Sequence, residues 1–511
     1  MKAIFVLFDS LNRHLLGPYG GTRIPTPNFD RLAKRCVTFD EHYVGSLPCM
    51  PARRDMLTGR LTFLHRSWGP LEPFDNAFPE TLFNAGVYSH LITDHFHYWE
   101  DGGATYHNRY DSYEFVRGQE GDPWKAMVQP HWERLRELYH ARQFTKERRE
   151  YFSQNIINRE FIKDEADFPS VQCFAHGFDF LRRNEEADNW LLQIETFDPH
   201  EPFHAPARFK APFDRGWNGP IRDWPRYGRV DELPAECEEL RANYYAVVSM
   251  CDFLLGKLLD YFDDHDLWSS AALVVTTDHG FLLGEHDFWA KNRMNVYQEV
   301  AHIPLFVHDP RNSREGSRCS SLTQSIDIAP TFLDLFGVER PGEMEGVSLA
   351  GIAAGERRRE AAIFGYFGGA VNVTDGRFTY HRYPTDLRSQ EIYQYTLMPT
   401  HIFSPFSMEE LSQASLAEPF PFTKGAKLLK VPVLERTPYY ELHGPGAFLE
   451  SDTRLYDVRT DPGQEKPLSL PAEETRLIRA MCKLMKANHA PKEAFERLEI
   501  DPELMACRRP R

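Results

Sequence analysis

A cysteine flanked by two prolines stands in the segment SLPCMPARRDMLTGR, which spans residues 46–60. Pro51 favours the first turn of a helix, so the spacing places Cys49 at a helix N-terminus. Free backbone amides and the helix dipole attract anions at that position. Arg53 lies on the next turn, close enough to pair with an oxyanion. The segment therefore predicts a site where the side chain of Cys49 meets an anionic group.

Polar side chains follow two apolar segments of the chain. Residues 3–8 indicate a buried strand that ends at Asp9, and residues 271–277 indicate another that ends at Asp278 and His279. In open α/β sheets, ligands bind at the carboxyl ends of the strands. These three side chains are therefore candidates for one polar site.

A third predicted strand leads to a candidate general acid. Residues 190–196 indicate this strand, and the loop after it contains His200. Histidine suits general acid catalysis near neutral pH. His204 lies close by in the chain and competes for the same role. Residues 303–308 indicate a fourth strand.

The order of these elements predicts the fold class. Apolar residues over 239–262 recur at helical spacing. Strands that alternate with helices predict an α/β fold whose large, mostly parallel sheet is covered by helices on both faces. After about residue 361 the pattern changes to short strands and one helix near the C-terminus. We therefore expect an α/β domain over residues 1–365 and a smaller α+β domain over residues 366–511.

Composition restricts the partners of the chain. The 511 residues carry a formal net charge of −16, which argues against a nucleic-acid partner. An anionic substrate would need positive charge concentrated locally by arginine, lysine, histidine and a metal ion. No stretch approaches the roughly 20 apolar residues of a membrane span, and residues 3–8 are too few for a signal peptide. We therefore expect no membrane partner and a cytoplasmic location. The eight scattered cysteines include no CxxC pair, so they predict neither a disulfide framework nor a zinc ribbon.

The cysteine segment resembles the signature of the sulfatase family in the alkaline phosphatase superfamily. That signature is Cys-x-Pro-x-Arg, matched by Cys49, Pro51 and Arg53, followed by a Leu-Thr-Gly-Arg run. The run is matched by Leu57, Thr58, Gly59 and Arg60. The resemblance implies an alkaline phosphatase-like fold. It also implies that a formylglycine-generating enzyme reads the motif and oxidises Cys49 to formylglycine. Similarity to the family extends over nearly the whole chain, apart from the stretches around 100–170 and 385–450.

The resemblance implies one divalent metal ion bound by Asp9, the formylglycine from Cys49, Asp278 and His279. Family members usually have two consecutive acids after the first strand, whereas this chain has Asp9 followed by Ser10. With an imidazole in the ligand set and one carboxylate fewer, Mn²⁺ is as good a candidate as Ca²⁺. A hydrated formylglycine offers two hydroxyls on one carbon. One hydroxyl attacks the ester, and loss of the proton from the other regenerates the aldehyde.

The resemblance also implies which residues contact the substrate. Lys291 matches the family lysine that binds the sulfuryl or phosphoryl oxygens. His200 matches the histidine that acts on the leaving group. Arg53 is expected to contribute positive charge to the oxyanion. These three residues are therefore predicted to act in both catalysis and substrate binding.

The histidine pair His95 and His97 stands where family members often have Gly-Lys-x-His. The lysine is missing in this chain. Either His95 replaces it and His97 is the second member, or the alignment shifts by some residues. We assign catalysis and substrate contact to His97, whose role would be to deprotonate the hemiacetal.

Three functions remain open at this level. The first is hydrolysis of aryl or sugar sulfate esters, and the second is hydrolysis of phosphonate monoesters or phosphodiesters by the same kind of site. Both substrates are small anionic esters with one negative charge at the reacting group, so one site can serve both. The third is an inactive binding homologue, which the presence of the complete residue set disfavours. Residues 385–450 are rich in aromatics and prolines, and they could mediate homo-oligomer formation or form a lid.

Overall fold

The computed structural model describes residues 1–144, 149–312, 314–355, 359–388 and 390–501. The strands within these ranges are, in chain order, β1 (Lys2–Phe8), β2 (Val37–Phe39), β3 (His42–Tyr43), β4 (Ser46–Leu47), β5 (Tyr88–Thr93), β6 (Ser112–Phe115), β7 (Trp190–Thr196), β8 (Gly228–Arg229), β9 (Ala271–Thr277), β10 (Leu282–Leu283), β11 (Phe288–Ala290), β12 (Leu305–His308), β13 (Arg318–Cys319), β14 (Thr323–Gln324), β15 (Ala362–Tyr366), β16 (Val371–Thr374), β17 (Phe378–Arg382), β18 (Tyr393–Thr396), β19 (Ser415–Ala417), β20 (Leu428–Pro432) and β21 (Arg454–Asp457). The α-helices are α1 (Pro27–Arg35), α2 (Cys49–Thr58), α3 (Phe78–Asn84), α4 (Ala104–His107), α5 (Trp132–Leu138), α6 (Arg149–Arg159), α7 (Pro169–Arg183), α8 (Ala207–Lys210), α9 (Pro234–Asp264), α10 (Gln298–Ala301), α11 (Ile328–Leu335), α12 (Leu349–Ala353), α13 (Met408–Ser412), α14 (Pro438–His443), α15 (Pro471–Ala487) and α16 (Lys492–Glu496).

An eight-stranded sheet forms the centre of the fold, with the order β13-β2-β12-β9-β1-β7-β5-β6. The pairings of β1 with β7 and β9, and of β5 with β6 and β7, are parallel. Strand β12 is the exception, because it runs antiparallel to both of its neighbours. The predicted α/β class with a mostly parallel sheet is confirmed.

Side-chain alternation along the central strands separates two apolar layers. In β1, Ile4, Val6 and Phe8 belong to the core under α1, α7 and α9. The intervening residues of β1 belong to the core under α2, α3 and α11. Because successive side chains of a strand point to opposite faces, a strand covered on both sides must be apolar throughout. This explains why the central strands appear in the sequence as continuous apolar runs.

A second sheet, of five strands, connects the C-terminal region to the cysteine segment. Its order is β21-β17-β16-β15-β4, and β4 comes directly before Cys49 in the chain apart from one proline. The apolar face of α15 packs on β15 and β16. The predicted boundary at residue 365 remains a prediction, and that residue lies inside β15.

Seven cysteines lie in the described ranges, and all seven are buried and free of disulfides. This agrees with the expectation that most of them are small core residues, whereas Cys507 lies outside the described residues. Among the helices within those ranges, none combines the length and apolar character needed to cross a membrane.

Candidate active site

The acidic ends of β1 and β9 lie side by side. The two strands pair in register with Phe8 opposite Thr277, so the next residues, Asp9 and Asp278, emerge at the same edge of the sheet. Ser10 has a φ of 63° and turns the chain sharply after the strand. Its backbone N–H donates to Oδ1 of Asp278 at 3.0 Å, and its hydroxyl donates to Oδ1 of Asp9 at 2.8 Å. Both carboxylates are fully buried.

Helix α2 begins at Cys49, as the proline spacing predicts. Pro48 has an extended backbone, so the helix does not extend N-terminal to Cys49. Gly59 ends the helix at its C-terminus with a left-handed conformation, at φ 65°. The Sγ atom of Cys49 lies 3.2 Å from Nε2 of His279 and 3.4 Å from Nζ of Lys291. Burial raises the pKa of the Cys49 thiol well above its ordinary value, and Asp9 adds to the shift.

Four candidate metal ligands converge at this point. One donor atom from each of Asp9, Cys49, Asp278 and His279 lies within 4.8 Å of all the others. The Nδ1 atom of His279 is 2.9 Å from the carbonyl oxygen of Gly280, so Nε2 is left to face the cluster. Burial lowers the pKa of His279 to about 3, which keeps the ring neutral as a metal ligand requires.

The donor set fits a divalent cation. It combines two carboxylates and one imidazole, and this combination suits Mn²⁺. The same set could bind Ca²⁺, although it offers fewer oxygen ligands than Ca²⁺ usually has. Oδ2 of Asp9 is buried and has no hydrogen-bond partner in the part of the chain that the structure describes. Nη2 of Arg53 lies 2.9 Å from this oxygen, but the same guanidinium also pairs with two other buried carboxylates. A divalent cation would supply the positive charge that the remaining carboxylates lack.

Arg53 contacts three carboxylates at once. Its guanidinium lies 2.9 Å from Asp9, 2.7 Å from Glu195 and 2.7 Å from Asp278, and the side chain is 1% exposed. These carboxylates raise its pKa well above the ordinary value although burial opposes the charge. The structure thus places Arg53 among the acidic ligands, and the predicted contact with a substrate oxyanion remains a prediction.

Lys291 brings a second positive charge to the cluster. Its Nζ donates to Oγ of Ser10 at 3.1 Å and lies 3.4 Å from Sγ of Cys49. Burial lowers the pKa of Lys291, but Cys49, Glu201 and the metal-ligand carboxylates outweigh that effect and raise it overall. The ammonium group is therefore held beside the position that formylglycine would occupy.

The two histidines of the alternative assignment occupy different positions. Nε2 of His95 lies 3.6 Å from Oδ2 of Asp9, so His95 is beside the metal-ligand cluster. His97 bonds through Nδ1 to Glu100 at 2.7 Å, and its Nε2 lies 3.6 Å from Glu120. Burial lowers the pKa of both rings. For His97, the negative charges of Glu100 and Glu120 outweigh the effect of burial, so its pKa is raised overall. For His95, the positive charge of Arg53 lowers the pKa further. Which histidine contacts the substrate remains open.

His200 follows β7 in a buried loop. Its Nδ1 atom lies 2.6 Å from the carbonyl oxygen of Glu201, and its ring contacts Phe197 with a centroid distance of 4.3 Å. Burial lowers its pKa well below the ordinary value, and Lys291 adds to the shift. The competitor His204 packs instead on Phe168.

Sequence reasoning gave no role to Glu195, Glu201 and Tyr227. Glu195 is the carboxylate that binds Nε of Arg53, and its signal is an acid near the end of a mainly apolar strand. Glu201 bonds to the hydroxyl of Tyr227 and lies beside His200. The pattern of the sequence offers no comparable signal for Tyr227.

Comparison with known proteins shows the family of the chain. A family model described as Sulfatase matches residues 2–338, and one described as N-sulphoglucosamine sulphohydrolase, C-terminal, matches residues 284–401. An N-acetylglucosamine-6-O-sulfatase from Bacteroides thetaiotaomicron is 24% identical over 71% of this chain and 74% of its own. An arylsulfatase from Clostridium perfringens is 24% identical over 68% of this chain and 77% of its own.

Solved structures share the fold. A phosphonate monoester hydrolase from Agrobacterium radiobacter aligns with a TM-score of 0.62 at 16% identity, covering 96% of this chain and 95% of its own. A protein solved with its substrate D-glucosamine-2-N,6-O-disulfate aligns with a TM-score of 0.64 at 17% identity, covering 96% and 99%. These likenesses extend over the central sheet and the C-terminal region together.

Proposed function

Because the chain belongs to the sulfatase family, we propose that it hydrolyses sulfate esters with a formylglycine made from Cys49 and one divalent metal ion. The observation that carries the proposal is the convergence of the other three metal-ligand candidates and Lys291 on Cys49 at the start of α2. The substrate class is a small anionic sulfate ester of the arylsulfatase type. The maturation partner is a formylglycine-generating enzyme.

The metal ion would be held by Asp9, Asp278, His279 and the modified Cys49. Bound there, it would supply positive charge and Lewis acidity to the reacting group. The formylglycine would supply the nucleophilic hydroxyl in place of a thiol.

The surrounding residues then have separate tasks. Lys291 binds the sulfuryl oxygens, because its ammonium lies beside Cys49. Arg53 holds the ligand carboxylates in place and contributes positive charge to the oxyanion. His200 donates a proton to the leaving group, and His97 removes the proton that releases sulfate, with His95 as the alternative base.

A second candidate activity is the hydrolysis of phosphonate monoesters or phosphodiesters. It is favoured by Ser10, which stands where family members usually have a second acid and which accepts a hydrogen bond from Lys291. One carboxylate fewer leaves the site less negative. Substrates with one negative charge at phosphorus or sulfur present similar oxygens to it. An inactive binding homologue is the third reading, and the complete residue set disfavours it.

The test begins with protein coexpressed with a formylglycine-generating enzyme. We expect the peptide that contains Cys49 to react with a hydrazide, which captures aldehydes, and to resist iodoacetamide, which captures thiols. We then expect turnover of 4-nitrophenyl sulfate in the presence of Mn²⁺ or Ca²⁺, and its loss in Cys49→Ala. Turnover of 4-nitrophenyl phenylphosphonate at a higher kcat/KM would favour the second activity. Active protein with an unmodified thiol at Cys49 would refute the mechanism.

A further inference from the structure

We infer that Glu201 and Tyr227 position His200 so that its Nε2 atom faces the leaving-group oxygen of the substrate. The inference rests on the proposed function, because it concerns the proton donor of that reaction. Glu201 and Tyr227 are positioning residues in this scheme, and His200 is the catalytic residue.

Glu201 is a buried carboxylate with two different environments. Its side chain is 1% exposed, and Oε1 accepts a hydrogen bond from the hydroxyl of Tyr227. Oε2 lies 3.3 Å from Nδ1 of His200 and has no hydrogen-bond partner within the described ranges. A buried carboxylate oxygen that receives no hydrogen bond is costly, so its position beside an imidazole points to a role for that imidazole.

The backbone of Glu201 determines which nitrogen of His200 carries the mobile proton. Nδ1 lies 2.6 Å from the carbonyl oxygen of Glu201, and a carbonyl oxygen can only accept. Nδ1 is therefore the protonated nitrogen of the neutral ring, and Nε2 is the nitrogen that gains and loses a proton. Burial and Lys291 lower the pKa of His200, and the carboxylate beside Nδ1 opposes both effects, because its negative charge favours the ring that carries both protons.

Tyr227 fixes the carboxylate on the side away from His200. Its ring also lies 5.9 Å from Nζ of Lys291, so the same tyrosine borders both the lysine and the glutamate. Phe197 contacts the ring of His200 from another side. These contacts hold the imidazole in one orientation without direct involvement of the metal-ligand residues.

His200 protonates the leaving group while the bond between sulfur and the ester oxygen breaks. The sulfur atom gains a bond to the nucleophilic oxygen and loses its bond to the ester oxygen, which keeps the electron pair. Nε2 of His200 gives its proton to that oxygen, and the ring becomes neutral with Nδ1 still protonated. The attacking hydroxyl loses one proton to solvent, and His200 later regains one from solvent.

The experiment compares a poor leaving group with a good one. Wild type, Glu201→Gln and Tyr227→Phe, each with verified formylglycine, are assayed with phenyl sulfate and 4-nitrophenyl sulfate. We expect Glu201→Gln to lower kcat for phenyl sulfate about 30-fold and for 4-nitrophenyl sulfate less than about threefold, because nitrophenolate leaves without a proton. Tyr227→Phe should show the same selectivity with a smaller loss, which covers the case in which Glu201→Gln fails to fold.

Two comparisons separate positioning from a structural role. In a His200→Ala background, Glu201→Gln should cost less than about a further twofold, because both act through one group. The matched control is Glu493→Gln, which removes another carboxylate bonded to a tyrosine, Tyr395, outside the site, and should leave both rates unchanged. Equal losses on both substrates, or full additivity with His200→Ala, would overturn the inference. Wild type that contains formylglycine but turns over neither ester would instead refute the proposed function.

Discussion

Arg53 shows how one residue can hold a whole site together. Three buried carboxylates converge on its guanidinium from β1, β7 and the end of β9. Burial removes each of these carboxylates from water, so each needs a partner that replaces the lost hydration. One planar cation with five donors can serve several of them at once. The residue that the sequence motif marks for chemistry is therefore also a structural centre.

Arg53→Met is expected to lower the free energy of unfolding by about 3–5 kcal/mol, because it leaves buried carboxylates uncompensated. The measurement is urea unfolding of metal-free protein, so that no cation substitutes for the arginine. The double variant Arg53→Met/Glu195→Gln should recover part of the loss, because one of the uncompensated charges is gone. A loss below about 1 kcal/mol in the single variant would show that the ion pairs contribute little to stability.

At the scale of elements, the ends of the central strands bring distant residues together. The bounds of β7 and β9 agree with the sequence prediction because each is a mainly apolar run that leads into polar residues. The convergence of Asp9, Asp278 and His279 also follows from the parallel sheet. The antiparallel direction of β12 could not be predicted, because strand direction depends on how the connection crosses the sheet. Glu195 contacts Arg53 and Glu201 contacts Tyr227, and both partners lie far away in the sequence. The periodicity of apolar residues contains no information about such contacts.

The ends of β5 and β7 also place two buried acids together. Asp94 accepts a hydrogen bond from the backbone N–H of Phe197, and Asp198 accepts one from Ser170. Burial raises the pKa of both, for Asp198 to about 7, and the neighbouring charge of Asp198 raises the pKa of Asp94 further. The other groups around them that affect these shifts are Glu195 and Gln119.

Asp198 should therefore contribute less to stability as the pH rises from about 4 to 7, whereas buried histidines with a lowered pKa, such as His279, contribute in the opposite direction. A carboxyl group with a raised folded-state pKa stays protonated in the native protein while it ionises on unfolding, so higher pH favours the unfolded state across that window. Asp198→Asn should remove this contribution, so the urea midpoint of the variant should rise relative to that of the wild type between pH 5 and pH 8. Asp264→Asn, at an exposed position on α9, is the control and should keep the wild-type slope. An unchanged slope in Asp198→Asn would mean that this carboxyl group is already ionised at pH 5.

At the scale of the whole molecule, the second sheet supports Cys49 and the start of α2. Ser46 and Leu47 of β4 pair with Gly365 and Tyr366 of β15, so the segment just before Cys49 is a strand of the C-terminal sheet. Asp55 strengthens this junction, since it accepts hydrogen bonds from the backbone N–H and hydroxyl of Ser46. The start of α2 is thus fixed from both sheets, which keeps Cys49 aligned with the ends of β1 and β9.

A divalent cation would balance the charges that are buried around the cluster. Asp9, Glu195, Glu201 and Asp278 are buried around two cations, Arg53 and Lys291. If all four carboxylates are ionised, two negative charges remain in excess. A divalent metal ion would balance them and leave the site able to accept an anionic ester. This local balance also explains how a chain with a net charge of −16 can bind an anion.

Removal of the metal by a chelator should therefore lower the unfolding temperature, and added Mn²⁺ or Ca²⁺ should restore it. A cation at 100 times its Kd stabilises a protein by about 2.7 kcal/mol, and the imidazole of His279 favours Mn²⁺ at equal concentration. Asp278→Asn should abolish most of this response. Asp252→Asn is the matched control, because Asp252 is buried and accepts backbone hydrogen bonds at the start of α1, outside the cluster. An equal metal response in both variants would place the cation elsewhere in the molecule.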